Sequence, residues 1–168
     1  PVFSQRLDIA SIAKILNLRT DQIDSRFPIE EISTGLPFII VPLKNLQAVR
    51  RSAIQKDKFF DLIRNTAAKA ILVFSPECYD PQNHLNVRVF VDYYGIPEDP
   101  ATGSANGCLA AYLVKHSYFS QKSIDLRIEQ GMEIARPSIL YARAALEKSE
   151  IHVQIGGKVI PVAEGFLL

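Results

Sequence analysis

The stretch Cys108-Leu109-Ala110-Ala111-Tyr112-Leu113-Val114 decides the fold, because a helix formed by these residues has no charged side chain on any side. The first basic side chains come only afterwards, at Lys115 and His116. A helix that is apolar all round is stable only when other elements cover it completely. We therefore predict a central buried helix here. The core positions predicted on it are Ala105, Leu109, Ala110, Leu113 and Val114.

The segments before and after this helix have the patterns of strands. Residues 70–74 form a short continuous apolar run, and residues 85–91 and 124–129 alternate apolar with polar side chains. Helices are predicted at 8–17, about 45–51 and 57–67. Strands outnumber helices and the two do not alternate regularly, so we predict the α+β class, with a mixed or antiparallel sheet wrapped around the central helix.

The end of the chain has the clearest local signal. Ile151, Val153 and Ile155 alternate before Gly156-Gly157, and a second apolar segment with Val159, Ile160 and Val162 follows. Two glycines between two such runs are typical of a two-residue hairpin turn. We therefore predict a hairpin whose turn is Gly156-Gly157.

Composition excludes several classes of protein. The chain has 168 residues, 48% hydrophobic side chains and a formal net charge of +1, without the basic clusters of a nucleic-acid or anionic-lipid surface. No apolar run reaches the length of a membrane span, and the start of the chain lacks a signal-peptide profile. Cys78 and Cys108 stand in no metal-site spacing. We expect a single cytoplasmic domain over residues 1–168 that binds neither nucleic acid nor membrane.

The segment 95–108 concentrates acids, hydroxyls and glycines just where the predicted buried helix begins. The first turn of a helix has unpaired N–H groups and the positive end of the helix dipole, and small side chains let an anion approach them. A substrate carboxylate would fit there. The alternative is that Asp99 or Thr102 merely caps the helix, with Pro100 in a permissive position.

Three motifs in this chain resemble those of the phenazine-biosynthesis PhzF-like family. The first is Asp99-Pro100-Ala101-Thr102-Gly103-Ser104-Ala105, preceded by Gly95-Ile96-Pro97-Glu98. The second is the upstream segment Ser33-Thr34-Gly35-Leu36-Pro37. The third is Glu129-Gln130-Gly131, followed by Arg136-Pro137-Ser138. Their order and spacing also match.

The resemblance implies a fold like that of diaminopimelate epimerase, in which two lobes each wrap a sheet around a central helix and the active site lies between them. It covers the family's second half, so we expect this chain to correspond to the C-terminal lobe, whose final strand packs on the first lobe. Glu30, Glu31 and Glu77 lack the Ser-Glu-Thr-like context of the family's general acid/base. We therefore expect the isolated chain to be inactive. The resemblance implies neither a cofactor nor a metal.

The same resemblance implies roles for the residues at the start of the helix. Asp99 would be the catalytic residue of this lobe, facing the substrate and orienting the proton transfer. Gly103, Ser104 and Ala105 would hold a substrate carboxylate through helix N–H groups and the Ser104 hydroxyl.

Further residues would bind the substrate from nearby. Thr102 stands about where diaminopimelate epimerase has one of its two catalytic cysteines, so a two-thiol mechanism is not expected. Thr34 and Gly35 would line the cleft, although an ordinary Gly/Pro turn explains them equally well.

Other candidates are weaker. Cys108 and His116 are eight positions apart on one helix, roughly 12 Å along its axis, which is too far for a nucleophile and its base. Arg88 and Arg136 are more often solvated or paired charges than ligand clamps.

The function expected from these observations is a lobe of a PhzF-like isomerase or epimerase acting by cofactor-free proton transfer. Its partners would be a small carboxylate-bearing metabolite and either the first lobe or a second copy of the chain. The alternative is a non-catalytic binding or assembly domain.

Overall fold

The computed structural model describes residues 1–166, and within them the strands form one curved sheet. The strands are β1 (Val2–Leu7), β2 (Ile29–Ser33), β3 (Pro37–Pro42), β4 (Ile71–Ser75), β5 (Leu85–Phe90), β6 (Glu98–Asp99), β7 (Ser123–Gln130), β8 (Ser138–Glu147) and β9 (Glu150–Gly157). The helices are α1 (Ile9–Ile15), α2 (Leu46–Arg51), α3 (Lys56–Ile63) and α4 (Gly103–Lys115).

The sheet is mixed, as the sequence predicts. Its strand order is β1-β2-β3-β4-β5-β7-β8-β9, and the two-residue β6 pairs with β5. The β3–β4 and β5–β7 pairs are parallel, and the other pairs are antiparallel. The mixed sheet with few helices is therefore confirmed.

Both faces of the middle strands are covered, which explains their continuous apolar runs. Phe38 and Ile40 of β3 pack in a cluster with α4, whereas Ile39 and Val41 pack in a second cluster with α1, α2 and α3. Alternate side chains of a strand point to opposite faces, so one apolar run supplies two cores.

Helix α4 is buried along most of its length. Its residues from Ala105 to Val114 are all buried, including each of the core positions predicted from the sequence. It packs against β3, β8 and β9, and its first turn follows closely after β6 in the chain.

The predicted hairpin at Gly156-Gly157 is wrong. The turn lies earlier, at Lys148 and Ser149, which join β8 to β9 and have positive φ angles of 46° and 73°. Gly156 and Gly157 instead pair within β9 opposite Tyr141 and Leu140. The apolar residues after them, at 159, 160 and 162, form no strand and are exposed. Two polar residues in the left-handed region can make the same tight turn as glycines.

Within the described part of the chain, no helix has the length and hydropathy needed to cross a membrane.

Candidate functional site

Asp99 and Thr102 lie together where the chain leaves β6 and enters α4. Thr102 is the N-cap residue of α4, but its hydroxyl donates to Asp99 Oδ2 at 2.5 Å rather than binding a helix amide. No side-chain hydrogen bond caps α4 among residues 1–166. Thr102 is therefore the N-cap residue by position, but neither Thr102 nor Asp99 caps the helix through its side chain.

The first amides of α4 precede its first intrahelical hydrogen bond. The first intrahelical bond runs from Asn106 N to Thr102 O, so the N–H groups of Gly103, Ser104 and Ala105 precede it. Gly103 and Ser104 are exposed, and Ala105 is buried. The arrangement joins three N–H donors, a helix dipole and a neighbouring carboxylate at one point.

Gln130 organises this segment, and sequence reasoning did not assign it a role. It is fully buried at the end of β7, and its side-chain amide makes four hydrogen bonds. Its Nε2 donates to Asp99 O at 2.7 Å and to Thr102 Oγ1 at 2.9 Å. Its Oε1 accepts from Thr102 N at 3.2 Å and from Asn106 Nδ2 at 2.8 Å. One amide thus fixes both ends of the 99–106 segment.

A signal for Gln130 was present in the sequence. Ile124, Leu126 and Ile128 alternate on the core-facing side of β7, and Gln130 continues the same alternation. A polar side chain at a core-facing position must find hydrogen-bond partners inside the protein. Asn106, which is fully buried in α4, is the matching polar residue on the helix.

Gly131 holds a second loop against the same segment. Its φ angle is 81°, and an added Cβ would lie 2.3 Å from Arg136 O and 2.9 Å from Pro100 O. Only glycine fits both this backbone conformation and this close approach. The position explains why a glycine directly follows Gln130.

Thr34, to which the resemblance gives a place in the cleft, lies beside the first turns of α4. Its hydroxyl is 3.5 Å from Ser104 O, and it packs so closely on Gly107 that an added Cβ would lie 3.1 Å from it. Gly35 is exposed in the same turn, where its amide donates to Ser33 Oγ. Both residues line a cavity of about 510 Å³ between the edge strands β1 and β9.

A larger cavity of about 710 Å³ opens at the beginning of α4. Ala101 and Gly103 line one end, Tyr141 and Ile155 line its wall, and Lys158 contributes a positive charge. Cavities that hold small molecules have volumes of about 300–1,000 Å³. This cavity therefore has the size of a small-molecule site and is lined by Gly103, the first residue of α4.

The structure separates Cys108 from His116. The Cys108 thiol lies 3.5 Å from the hydroxyl of Thr34, and burial raises its pKa. His116 Nε2 instead contacts Glu30 at 2.7 Å. These contacts agree with the spacing argument against a thiol nucleophile.

The other carboxylates considered from the sequence are engaged elsewhere. Burial works against a charged Glu30, but hydrogen bonds from His116 and Lys115 outweigh it and hold the pKa of Glu30 below its ordinary value. Glu31 accepts from the amide of Ala68 at 3.0 Å. Glu77 accepts from the amide of Leu46 at the start of α2.

Glu129 is a buried carboxylate that fastens the loop after β4. Its oxygens accept from the backbone amides of Tyr79 and Asp80 and from the side chains of Asn83 and Asn86. Burial works against the charged form, but these donors outweigh it and hold the pKa of Glu129 below its ordinary value. Its role is thus to hold the loop.

The two arginines considered as clamps have different surroundings. Arg88 is nearly buried and pairs with Glu98, whereas Arg136 is exposed. Among residues 1–166, no group of three or more His, Cys, Asp or Glu side chains has the arrangement of a metal site.

Comparison with known proteins gives consistent relatives. The family model for phenazine biosynthesis-like proteins matches residues 1–165. The chain is 35% identical over 147 residues to trans-2,3-dihydro-3-hydroxyanthranilate isomerase of Pseudomonas aeruginosa, which covers 84% of this chain and 48% of that protein. It is 27% identical over 160 residues to an uncharacterized isomerase of Clostridium acetobutylicum, covering 94% and 53% respectively.

A solved structure has the same fold. The crystal structure of the Bacillus anthracis phenazine biosynthesis protein of the PhzF family superposes with a TM-score of 0.83 at 27% identity. The match covers 93% of this chain and 54% of that one. The chain thus spans about half the length of the curated relatives it matches.

Proposed function

This chain belongs to the phenazine biosynthesis-like protein family, and on that premise we propose that it forms one lobe of a cofactor-free isomerase site. The lobe would be the C-terminal one of two, a single domain over residues 1–168 with a diaminopimelate epimerase-like sheet around α4. The substrate would be a small carboxylate-bearing metabolite of the cytoplasm. Support comes from the curated relatives that are named isomerases.

The hydrogen bond from Thr102 to Asp99 is the single observation that carries this proposal. The Thr102 hydroxyl donates to Asp99 and accepts from Gln130 Nε2 rather than from a helix amide, which leaves the amides of Gly103, Ser104 and Ala105 without a capping bond from it and open to a carboxylate. The same bond directs Asp99 toward this end of the helix. An anion held at the amides would therefore lie next to a fixed carboxylate.

Each residue has a distinct task in this scheme. The N–H groups and the Ser104 hydroxyl bind the substrate carboxylate, with Thr102, Thr34 and Gly35 lining the site. Asp99 orients the carbon that loses or gains the proton. The proton itself would be moved by a Glu of the facing lobe, since a general acid/base must lie within hydrogen-bond reach of the reacting atom. Water excluded between two lobes would strengthen each of these contacts.

The segment after β9 supports a facing partner. Val159, Ile160 and Val162 are 85%, 71% and 94% exposed, and they follow directly on the strand that covers α4. Contiguous exposed apolar side chains mark a surface that another protein element covers. We propose the first lobe as that element. The same exposure also favours a second candidate function, a binding or assembly domain that pairs through this surface.

The first experiment tests the anion site on this chain. Titrating the ¹⁵N-labelled protein with succinate should shift the amide signals of residues 103–105 in a saturable manner. The Gly103→Pro variant should bind more weakly, since proline is accepted at the first position of a helix but removes one N–H donor. Helix α3 is a matched control, because its N-cap Gln55 also makes no side-chain capping bond but Asp57 places a negative charge in its first turn.

The second experiment tests the chemistry. Solvent deuterium incorporation into candidate carboxylate substrates should require this chain and a separately expressed first lobe together, and Asp99→Asn should abolish it. Exchange by the chain alone that is lost in Asp99→Asn would overturn the two-lobe scheme. Saturable succinate binding without exchange in any combination would favour the binding domain.

A further inference from the structure

Arg88 and Glu98 form a buried bidentate ion pair on the face of the sheet opposite α4. Arg88 Nε donates to Glu98 Oε1 at 3.1 Å and Nη2 donates to Oε2 at 2.7 Å, with side chains 11% and 5% exposed. A planar guanidinium bound through two parallel bonds fixes the direction of the carboxylate as well as its distance. The pair therefore determines where Glu98 lies.

The Arg88 guanidinium also donates to backbone carbonyls outside β5 and β6. Its Nη1 donates to Ser52 O at 2.7 Å and to Val49 O at 3.1 Å, at the C-terminal end of α2. These carbonyls belong to the last turn of a helix, where backbone acceptors need external partners. Arg88 thus joins β5, the end of α2 and β6 in one contact.

Strand β6 needs such a contact because it is very short. It consists of Glu98 and Asp99, paired with Phe90 and Val89 of β5. Successive side chains of a strand point to opposite faces. Glu98 accordingly meets Arg88 on one face, while Asp99 meets Thr102 at the start of α4 on the other.

We propose that Arg88 is a positioning residue for Asp99: by gripping Glu98 from the far face of the sheet, it sets the direction of the Asp99 carboxylate. This inference rests on the proposed function, in which Asp99 orients the substrate. Arg88 touches no part of the cavity at the start of α4, and it acts only through β6. In the Glu98-Asp99 pair, Glu98 thus binds Arg88, and Asp99 is the residue of the candidate site.

The test is a measurement of the Asp99 side-chain conformation that does not depend on activity. Three-bond couplings from Asp99 Cγ to its backbone N and carbonyl carbon report the χ1 angle. In the unaltered chain they should have single-rotamer values. Arg88→Lys keeps the positive charge but cannot make both hydrogen bonds to the Glu98 carboxylate. The Asp99 couplings should therefore move to rotamer-averaged values while the protein stays folded.

A second variant covers the case in which Arg88→Lys does not fold. The double variant Arg88→Met with Glu98→Met replaces the buried pair by apolar side chains of similar size, an exchange that proteins often tolerate. Arg143→Met is the matched control, since its ion pair with Asp125 is exposed on both sides. It should leave the Asp99 couplings unchanged.

The outcomes separate this inference from the proposed function. Averaged Asp99 couplings in a folded variant support the inference, and in the two-lobe exchange assay kcat should then fall about 10- to 100-fold with KM little changed. Unchanged couplings in both variants would overturn it, whatever the exchange assay gives. Absence of exchange in the unaltered protein would count against the proposed function alone.

Discussion

Replacing Gln130 by methionine should measure how much the 99–106 segment depends on one side chain. Methionine has nearly the same shape but forms none of the four hydrogen bonds. The backbone carbonyl of Asp99 and the amide of Thr102 would lose their Gln130 partner. Leaving a buried polar group without a partner costs about 1–3 kcal/mol, so two such groups give about 2–6 kcal/mol. Because Asp99 and Thr102 are only half-buried, water can reach them, and we expect the lower part of this range, about 2–3 kcal/mol.

Thermal unfolding followed by circular dichroism measures this loss. For a protein of this length, 1 kcal/mol corresponds to about 2–4 °C in Tm, so Gln130→Met should lower Tm by about 4–12 °C. Gln154→Met is the matched control, since Gln154 is exposed on β9, and it should change stability by less than about 0.5 kcal/mol. Equal stability of the two variants would refute the assignment of Gln130 as the organising residue.

Three further outcomes are expected. Leu109→Ala should destabilise the protein by about 2–5 kcal/mol in urea unfolding because Leu109 is fully buried, and similar values for Leu109→Ala and for the half-exposed Leu146→Ala would contradict the packing described for α4. The pKa of Glu129 lies below its ordinary value of 4.5, so ionised Glu129 stabilises the folded protein above that pH and this stabilisation is lost on acidification. Glu129→Gln should therefore reduce the loss of unfolding free energy at acid pH. The same pH profile of stability in both proteins would contradict this role of Glu129. Burial raises the pKa of Cys78 to about 12 and also raises that of Cys108, so iodoacetamide should modify both slowly at pH 8 unless urea is present, a comparison that mass spectrometry makes directly.

The mixed sheet and the burial of α4 could be predicted because their patterns are long. The apolar run 108–114 and the alternation in β7 involve many residues, and each is consistent with burial only in one type of element. Asp8 and Asn45 mark the starts of α1 and α2 by accepting from backbone amides, as their residue types suggest. At these positions the structure that the local residue types favour is also the one that the packing of the whole domain requires.

The failures come from features that a single short pattern does not determine. Gly156-Gly157 has the composition of a turn, yet pairing with Tyr141 and Leu140 places both glycines in β9. Among residues 1–166, the apolar side chains that follow at 159, 160 and 162 are exposed and form no return strand. Long-range pairing thus outweighed local propensity there.

The candidate site was predicted in part. The resemblance named Asp99 and residues 102–105, and the structure brings Asp99, Thr102 and Thr34 together around the start of α4. It gave no role to Gln130, although Gln130 stands in the third motif, and none to Asn106; the amides of these two side chains fix the segment. Their importance depends on hydrogen bonds between α4 and the last residue of β7, which lie 24 positions apart in the sequence.

The order of strands in the sheet has a consequence for how the chain folds during synthesis. Neighbouring strands are mostly consecutive in the chain, so the sheet can grow at one edge as residues leave the ribosome. Helix α4 is complete at Lys115, but β8 and β9, which cover one of its sides, end only at Gly157. In a nascent chain, one apolar side of α4 therefore stays exposed to solvent until the β8–β9 hairpin forms. This interval is when chaperone capture or aggregation would compete with folding, and the β8–β9 hairpin is the step that ends it.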